Sequence, residues 1–598
     1  MDKATINIRN VRKDRMYTDS NLFYKNDFSC VESAPDPFIL YDDGWFYLYF
    51  TEIKNGVLAA YKSRDMASWE KVWIIYERDE PYWAHGRYWA PKVFKYPKDG
   101  KYYLYCACSG NGEIGLPEGT SLDRESSVYA PEIKDRLHLT VLVADRPEGP
   151  FKEWTGSRYI EKFYHGESLG MVQDEVTLTS GPIFDFANAP AGWETNKAHY
   201  ERNGTNIFAQ LDPMPFLDDD GQLYLYFTRS RDINDLKHKQ GGWGVKMIDP
   251  VTPDYNTLTC LNIPGYYTVG GERSTPVIDD DIVNEGVGMI KHKTVREDGT
   301  EIMKYYLTYS RSGMGCPYYS ACLAVADSPL GYAKGSKEAP NGGFVKLPPQ
   351  YGNPMHCIDA YRDEEGHWHN EPSYDMYQAT GNGMFFRVGE EEFLVSLCTV
   401  LIPEKKSRNF IIDRIVWRYN DELGYDVPHS NGPTQGSLQP LPTRVSGYEN
   451  IAKNASVSVN ANGDMRLLTD GYVAIHSRDD DMVYYADKDE LCITLTLDKP
   501  RTLRSVMVYN TWDKSRAFAA VDKMELIHEE AVTVMDEVPF SEEHLTESGA
   551  LRPGGAVVLV FEDTLVDTVK LYISKTLEEE AVQIGIADIS VWAKVEDK

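Results

Sequence analysis

The chain of 598 residues carries 92 acidic against 62 basic side chains, a formal net charge of −30. That balance excludes nucleic acid and anionic membrane surfaces as expected partners and suits a neutral ligand better than an anionic one. No stretch approaches the roughly 20 consecutive apolar residues that span a bilayer. The opening MDKATINIRNVRKDRMYTDS lacks an apolar leader core, and the nine scattered cysteines include no Cys-x-x-Cys, so a cytoplasmic protein with free thiols is expected.

Residues 1 to about 32 read as a lead-in that pairs with the last repeat of the fold. Next comes SAPDPFILYDDGWFYLYF, Ser33 to Phe50. Asp36 stands between two prolines ahead of a strand. The Asp42-Asp43-Gly44 turn then feeds a second strand that is apolar on both faces and needs sheet packed on each side. The turn and aromatic strand recur as DGKYYLYCACSG from Asp99, DGQLYLYFTRS from Asp220, KYYLTYSRSG from Lys304 and, more weakly, EEEFLVSLCTV from Glu390. Each copy has a second half, starting at Ala60, Leu139, Gly244, Ala321 and Ile411. Five such units of roughly 45 residues or more predict an all-β fold, a five-bladed β-propeller, because one blade cannot cover its own apolar faces. A sandwich or solenoid of plain hairpins is the competing expectation.

The insertion from about Gly156 to Asn206 is rich in Gly, Asn and aromatics and has no periodicity, and it is expected to form a functional rim or a surface decoration. Near residue 445 the pattern changes to short alternating strands, from NASVSVNA through ELCITLTLDKPRTLRSVMVYN to GIADISVWAKV, which predict a β-sandwich. The expected division is a propeller over residues 1–444 followed by a sandwich over 445–598.

Three acids stand just before or on the first strand of different repeats: Asp36 in APDPFI, Asp212 in LDPMPF and Glu285 in NEGVGMI. The first strand of a propeller blade is innermost, so these carboxylates are expected to converge on one pocket. Taken singly, an Asp before proline is also ordinary turn chemistry. Converging carboxylates suit glycosidic hydrolysis. One takes a proton from water, and another, kept protonated by burial and like charge, gives one to the leaving oxygen. Trp83, His85 and Trp89 in PYWAHGRYWAPK are candidate sugar platforms, with Trp89 equally readable as packing between the first two blades. Phe208 and Phe216 flank Asp212 and are either sugar contacts or core. Arg311 in SRSG either reaches a sugar hydroxyl or lies on the surface. The cluster His356, Cys357, His367 and His369 matches no standard zinc spacing, so a rim histidine is expected there rather than a metal.

Together these stretches resemble the family 43 glycoside hydrolases. The resemblance rests on PDPFI with Asp36, YWAPKV with Trp89, LDPMPFLDDDGQLYLYFT with Asp212, NEGVGMIKHK with Glu285 and the closing RNFIIDRIVWRYNDELGYDVPHSNGPT, and it spans about residues 33–434. It implies an inverting hydrolase of α-L-arabinofuranosides or β-D-xylosides in neutral plant cell-wall oligosaccharides. On that pattern Asp36 is the general base, Asp212 the modulator of proton affinity and Glu285 the general acid. Members often show Glu-Gly-Pro-His at the acid, against Glu285-Gly286-Val287-Gly288 here, which keeps Glu272 and Glu371 as lesser candidates. Thr380-Gly381-Asn382-Gly383 stands where members often carry a histidine near an axial ion or water. Asn382 is a candidate substrate contact but has no imidazole, which counts against an axial calcium, and no cofactor is expected. The residues beyond 445 resemble discoidin-like, galactose-binding-like sandwiches, with Trp512 as the candidate sugar contact and packing on the propeller as the alternative. The competing functions are a propeller galactanase or fructosidase, and a non-catalytic carbohydrate-binding propeller in which the acids are structural. The fructosidase signatures Asn-Asp-Pro-Asn and Arg-Asp-Pro are replaced here by Pro35-Asp36-Pro37 and Leu211-Asp212-Pro213.

Overall fold

The structure is a computed structural model, and it describes residues 22–26, 31, 33–54, 56–78, 84–110, 137–154, 162–163, 174–175, 182–184, 209–230, 241–262, 283–314, 318–340, 342–357, 361–362, 368–369, 377–402, 405–546, 548–579, 581 and 583–596. Five antiparallel sheets follow one another along the chain as the blades of a propeller. Their innermost strands are Phe38–Asp42, Ala84–Lys95, Ala209–Leu217, Asn284–Val295 and Met384–Val388. Each pairs with the next strand in sequence: Trp45–Tyr49, Tyr102–Gly110, Leu223–Ser230, Glu301–Arg311 and Glu391–Ile402. In blade one Asp43 and Gly44 both take positive φ, 47° and 76°, which matches the twist a tight hairpin needs.

The repeated tyrosines explain the ring. The hydroxyl of Tyr49 donates to the carbonyl of Pro147, that of Tyr105 to Pro250 and that of Tyr226 to Pro329, at 2.8, 2.7 and 3.0 Å. Each proline lies in a turn of the following blade, so the motif Tyr-x-Tyr on one blade reads the Asp-Pro, Asp-Arg-Pro or Asp-Ser-Pro turn of the next. Tyr306 of blade four does the same to the Asp426 carbonyl of blade five. These hydroxyls sit at buried positions, where an unpaired polar group is costly. Apolar clusters fill the spaces between blades: Tyr105, Leu139, Leu225 and Val245 between two and three, and Tyr306, Leu323, Leu394 and Val427 between four and five. This radial burial is why the repeats form a propeller rather than separate hairpins.

The lead-in does meet the last blade, though its own strand pairs elsewhere. Phe23–Tyr24 pairs with Gln439–Pro440, beyond blade five. Closure comes from single contacts along Lys405–Asn420: Ala34 N–H to the Arg408 carbonyl at 3.1 Å, Asn409 Nδ2 to the Val31 carbonyl at 3.0 Å, and Tyr24 hydroxyl to the Ile412 carbonyl at 3.0 Å.

From Tyr448 the chain forms an eight-stranded sheet whose long strands, Leu491–Asn510 and Ala556–Ile573, break register between Thr496 and Ser505. The two halves fold over one core, in which Ile493, Leu526 and Leu571 meet Val508, Leu559 and Ile589. The outer face of one half, with Met507, Val558 and Trp592, packs on Leu22, Phe23 and Leu438. Polar contacts accompany this docking: Ser437 Oγ to the Gly554 carbonyl at 2.7 Å and Arg478 Nη2 to the Pro354 carbonyl at 2.6 Å. Of the two roles expected for this region, packing on the propeller is visible. Trp512 is half-buried; its indole donates to Asp480 at 3.0 Å and the Arg516 guanidinium lies 5.8 Å from its ring.

Candidate active site

The five innermost strands share one backbone feature. Asp36, Ala90, Asp212, Gly286 and Asn382 all take positive φ, at 54°, 47°, 49°, 63° and 52°. Each marks the point where an inner strand begins or bulges, as register shifts flanking Ala90, Asp212 and Gly286 show. Side chains other than glycine reach this region only against steric cost, and such strain concentrates at functional sites. The five residues are equivalent positions in five blades. Asp36 and Asp212 are therefore true counterparts, but Glu285 is not. The blade-four counterpart is Gly286, and Glu285 precedes it, a correction to the expectation of three equivalent acids.

Hydroxyls on or just past the second strands lock these bends. Thr51 Oγ donates to Asp36 Oδ2 at 2.6 Å and accepts the Ala90 N–H at 2.9 Å. Thr228 Oγ donates to Asp212 Oδ2 at 3.2 Å and accepts the Gly286 N–H at 3.1 Å. Ser310 Oγ accepts the Asn382 N–H at 2.6 Å. Each hydroxyl thus ties its own blade to the next at channel level. Gly286 N–H also reaches Asp212 Oδ2 at 3.0 Å, so Asp212 grips the peptide immediately after Glu285.

Asp36 is held by three donors. Thr51 occupies one lone pair of Oδ2, while Asn382 Nδ2 at 3.1 Å and Arg408 Nη2 at 2.5 Å occupy both of Oδ1. A carboxylate has about four acceptor directions, so among the described residues one remains, on Oδ2. Burial alone pushes this carboxyl up, but the Arg408 charge, the Thr51 hydroxyl, Lys92 and Asn382 outweigh it and hold it below the usual range. Asp212 behaves oppositely. Burial and the Asp36 charge push it up to about 6, against the opposing pull of Lys92, Gly286 and Thr228. Tyr319 marks the convergence: burial raises its hydroxyl, and the charges of Glu285, Asp212 and Asp36 follow in that order.

Gly381 makes room for that tyrosine. A Cβ at Gly381 would lie 2.2 Å from the Tyr319 ring. Gly381→Ala is expected to destabilise the protein by about 1–3 kcal/mol through overpacking. A denaturant midpoint measurement checks this, and an unchanged midpoint would show that the ring has another place to go.

The other described candidates are packed among neighbouring side chains. Phe216 is core: its ring lies 6.2 Å from Tyr226 and 6.4 Å from Tyr305, between blades three and four. Trp89 packs against the cluster between blades two and three rather than one and two, with Arg87 5.9 Å from its ring. Arg311 is fully buried, not on the surface, and donates to Ser320 Oγ at 3.3 Å. His356 is no rim residue. It is fully buried, its two ring nitrogens contact Ser396 and Ser430 hydroxyls at 2.8 and 2.7 Å, and burial lowers its pKa to about 3. Trp83, Phe208, Glu272, His367 and Glu371 lie outside the described residues, as do the side chains of His85 and His369. Thr51, Lys92, Thr228, Tyr319 and Arg408 belong to the site without having been picked from sequence. The recurring hydroxyl at one register position of the repeated strand was the available signal for Thr51 and Thr228.

The position where an axial ion was weighed carries Asn382, whose Nδ2 donates to Asp36 Oδ1 at 3.1 Å and whose buried Oδ1 has no hydrogen-bond partner among the described residues. Among the described residues no group of three or more His, Cys, Asp or Glu is placed to hold a metal. The buried ammonium of Lys92 lies under the charge of both aspartates.

Fold and site define a five-bladed propeller with two differently tuned aspartates and a glutamate gathered at its central channel. Residues 30–162 match the family model described as glycosyl hydrolases family 43. The chain is also similar to solved structures: a thermostable family-43 glycoside hydrolase, with 20% identity over 70% of this chain and 99% of that chain at a TM-score of 0.43; an α-L-arabinofuranosidase from Lactobacillus brevis, with 16% identity over 68% and 95% at 0.40; and an endo-1,4-β-xylanase from Bacteroides thetaiotaomicron, with 18% identity over 69% and 97% at 0.37. No curated protein sequence matches the chain.

Proposed function

We propose that the protein is a glycoside hydrolase that releases terminal α-L-arabinofuranosyl or β-D-xylosyl units from neutral oligosaccharides with inversion. The observation that carries this is the opposite tuning of two neighbouring carboxyls, Asp36 held ionised and Asp212 raised to about 6, beside a third acid on blade four. The family match over residues 30–162 supports it and includes Asp36.

In this reading Asp36 is the base. Its one open acceptor direction, on Oδ2, takes the proton of the attacking water, while Arg408, Asn382 and Thr51 keep the carboxylate from rotating. Glu285 gives its proton to the leaving oxygen as the glycosidic bond breaks. Asp212 sits between them, holds the peptide that carries Glu285, and changes charge near pH 6, so its ionisation sets the proton affinity of its neighbours.

A proton NMR time course with an α-L-arabinofuranoside and a β-D-xyloside tests it. Early appearance of the inverted anomer from one of them is expected. First appearance of the retained anomer would mean a nucleophilic carboxylate and end the base role of Asp36. Release from neither would favour another glycoside, or sugar binding without turnover.

A further inference from the structure

Two residues beyond each of the five positive-φ positions stands a residue of the inner strand: Phe38, Lys92, Met214, Gly288 and Met384. Four of the five are apolar or glycine; blade two has a lysine. Lys92 is 0% exposed, packed with its ammonium 5.6 Å from the Phe38 ring, and Nζ has no hydrogen-bond partner among the described residues. A buried cation without a hydrogen bond is costly unless charge compensates it. The compensation is at hand: among the described residues, Asp212 and Asp36 are the charges that act on Lys92. The reverse also holds, because Lys92 lowers both aspartates.

We propose that Lys92 is a positioning residue of the acid pair, a built-in cation that holds Asp36 as a carboxylate and lets a second carboxyl, Asp212, ionise beside it. The inference deepens the glycosidase reading by assigning the charge control of its site. Two buried aspartates in one channel repel, and their shared proton leaves late. Arg408 relieves only the Asp36 side, through its contact with Oδ1. Lys92 acts on both from blade two, while Glu285 and Tyr319 face the pair from blade four. The strand position explains how a lysine comes to be there. Its stem replaces the methionines of blades three and five in the same packing slot, so only the terminal ammonium is new.

The test is Lys92→Met, which gives blade two the side chain that blades three and five already hold. Two readouts are taken: the carboxyl titration of the protein labelled with ¹³C at aspartate carboxyls, assigned with Asp36→Asn and Asp212→Asn, and the pH dependence of kcat/KM. Loss of the cation is expected to move the aspartate midpoints and the acid limb upward by about one pH unit or more, the range for an opposite charge at close approach. KM is expected to change little, and the melting temperature to hold or rise. A lysine that serves packing alone would lower the melting temperature and leave every midpoint in place, and that result overturns the proposal. Should Lys92→Met not fold, Lys92→Gln keeps length and polarity and carries the same readouts. If wild type hydrolyses no glycoside, the glycosidase reading falls, while the carboxyl titration still decides the role of Lys92.

Discussion

Asp36→Asn is expected to lower kcat by about 10²- to 10⁴-fold, the usual contribution of a positioned general base, with KM nearly unchanged. The substitution keeps the shape but removes the charge that Arg408, Thr51 and Asn382 converge on. It also removes the open acceptor direction on Oδ2, because the amide has one oxygen where the carboxylate has two. Some stability is lost as well, since Arg408 keeps a charge without its partner; breaking such a hydrogen bond to a charged group costs roughly 1–3 kcal/mol. The pH dependence separates the two effects. The folded-state pKa of Asp36 lies below its unfolded value near 3.9, so its stabilisation is present above that value and fades as pH falls through the lower folded one. The stability gap between wild type and Asp36→Asn is therefore expected to be constant above about pH 7, to shift between about pH 4 and 6 as Asp212 titrates lower in the variant without the Asp36 charge, and to lose the Asp36 contribution below about pH 4. The loss of turnover, in contrast, persists wherever wild-type Asp36 is ionised. A variant that retains more than a tenth of wild-type kcat on the preferred substrate would exclude Asp36 as the base.

The fold was legible because its instructions are local and repeated. The Asp-Gly turns, the doubly apolar strand behind each and the Asp-Pro turns that receive the tyrosine hydroxyls recur along the chain, and a five-fold repeat with two apolar faces has few ways to be buried. Asp36 and Asp212 were legible for the same reason, as the two aspartates at one repeat position. Glu285 was read from the same repeat logic, and the structure sets it one residue off the position of the two aspartates. Its blade places glycine at the strained position, and the acid moved one residue upstream, an offset that only φ values expose. Lys92 was hidden because a lysine in a strand ordinarily extends its ammonium into solvent, and nothing local marks that this strand is innermost along its whole length. Arg408 and Tyr319 were hidden by distance. Arg408 lies 372 residues from Asp36 and reaches it only because the ring closes, bringing blade five beside blade one. For Trp89 and Phe216 the sequence left both a sugar contact and packing open, and both pack between blades, where a propeller needs large apolar groups.

Glu285→Gln offers the second large effect, and its size depends on what departs. Protonation of the leaving oxygen matters most when that oxygen would otherwise leave as a strongly basic alkoxide, as it does from an oligosaccharide. There the loss in kcat/KM is expected to reach about 10²- to 10⁴-fold. An aryl glycoside with an electron-withdrawing ring leaves as a stabilised phenolate and needs little help, so the same variant should lose at least tenfold less on it. That contrast is diagnostic, because a misfolded or distorted site would depress both substrates alike. Asp212 provides the internal comparison. It holds the Gly286 N–H at 3.0 Å and thereby the backbone that presents Glu285, and it reaches its midpoint near 6 under the charge of Asp36. Asp212→Asn should therefore weaken turnover of both substrate types and shift the pH profile, without the leaving-group selectivity that marks loss of the acid itself. Equal losses on the two substrates in Glu285→Gln would remove Glu285 from the acid role and return attention to Glu272 and Glu371, the acids first set beside it by sequence.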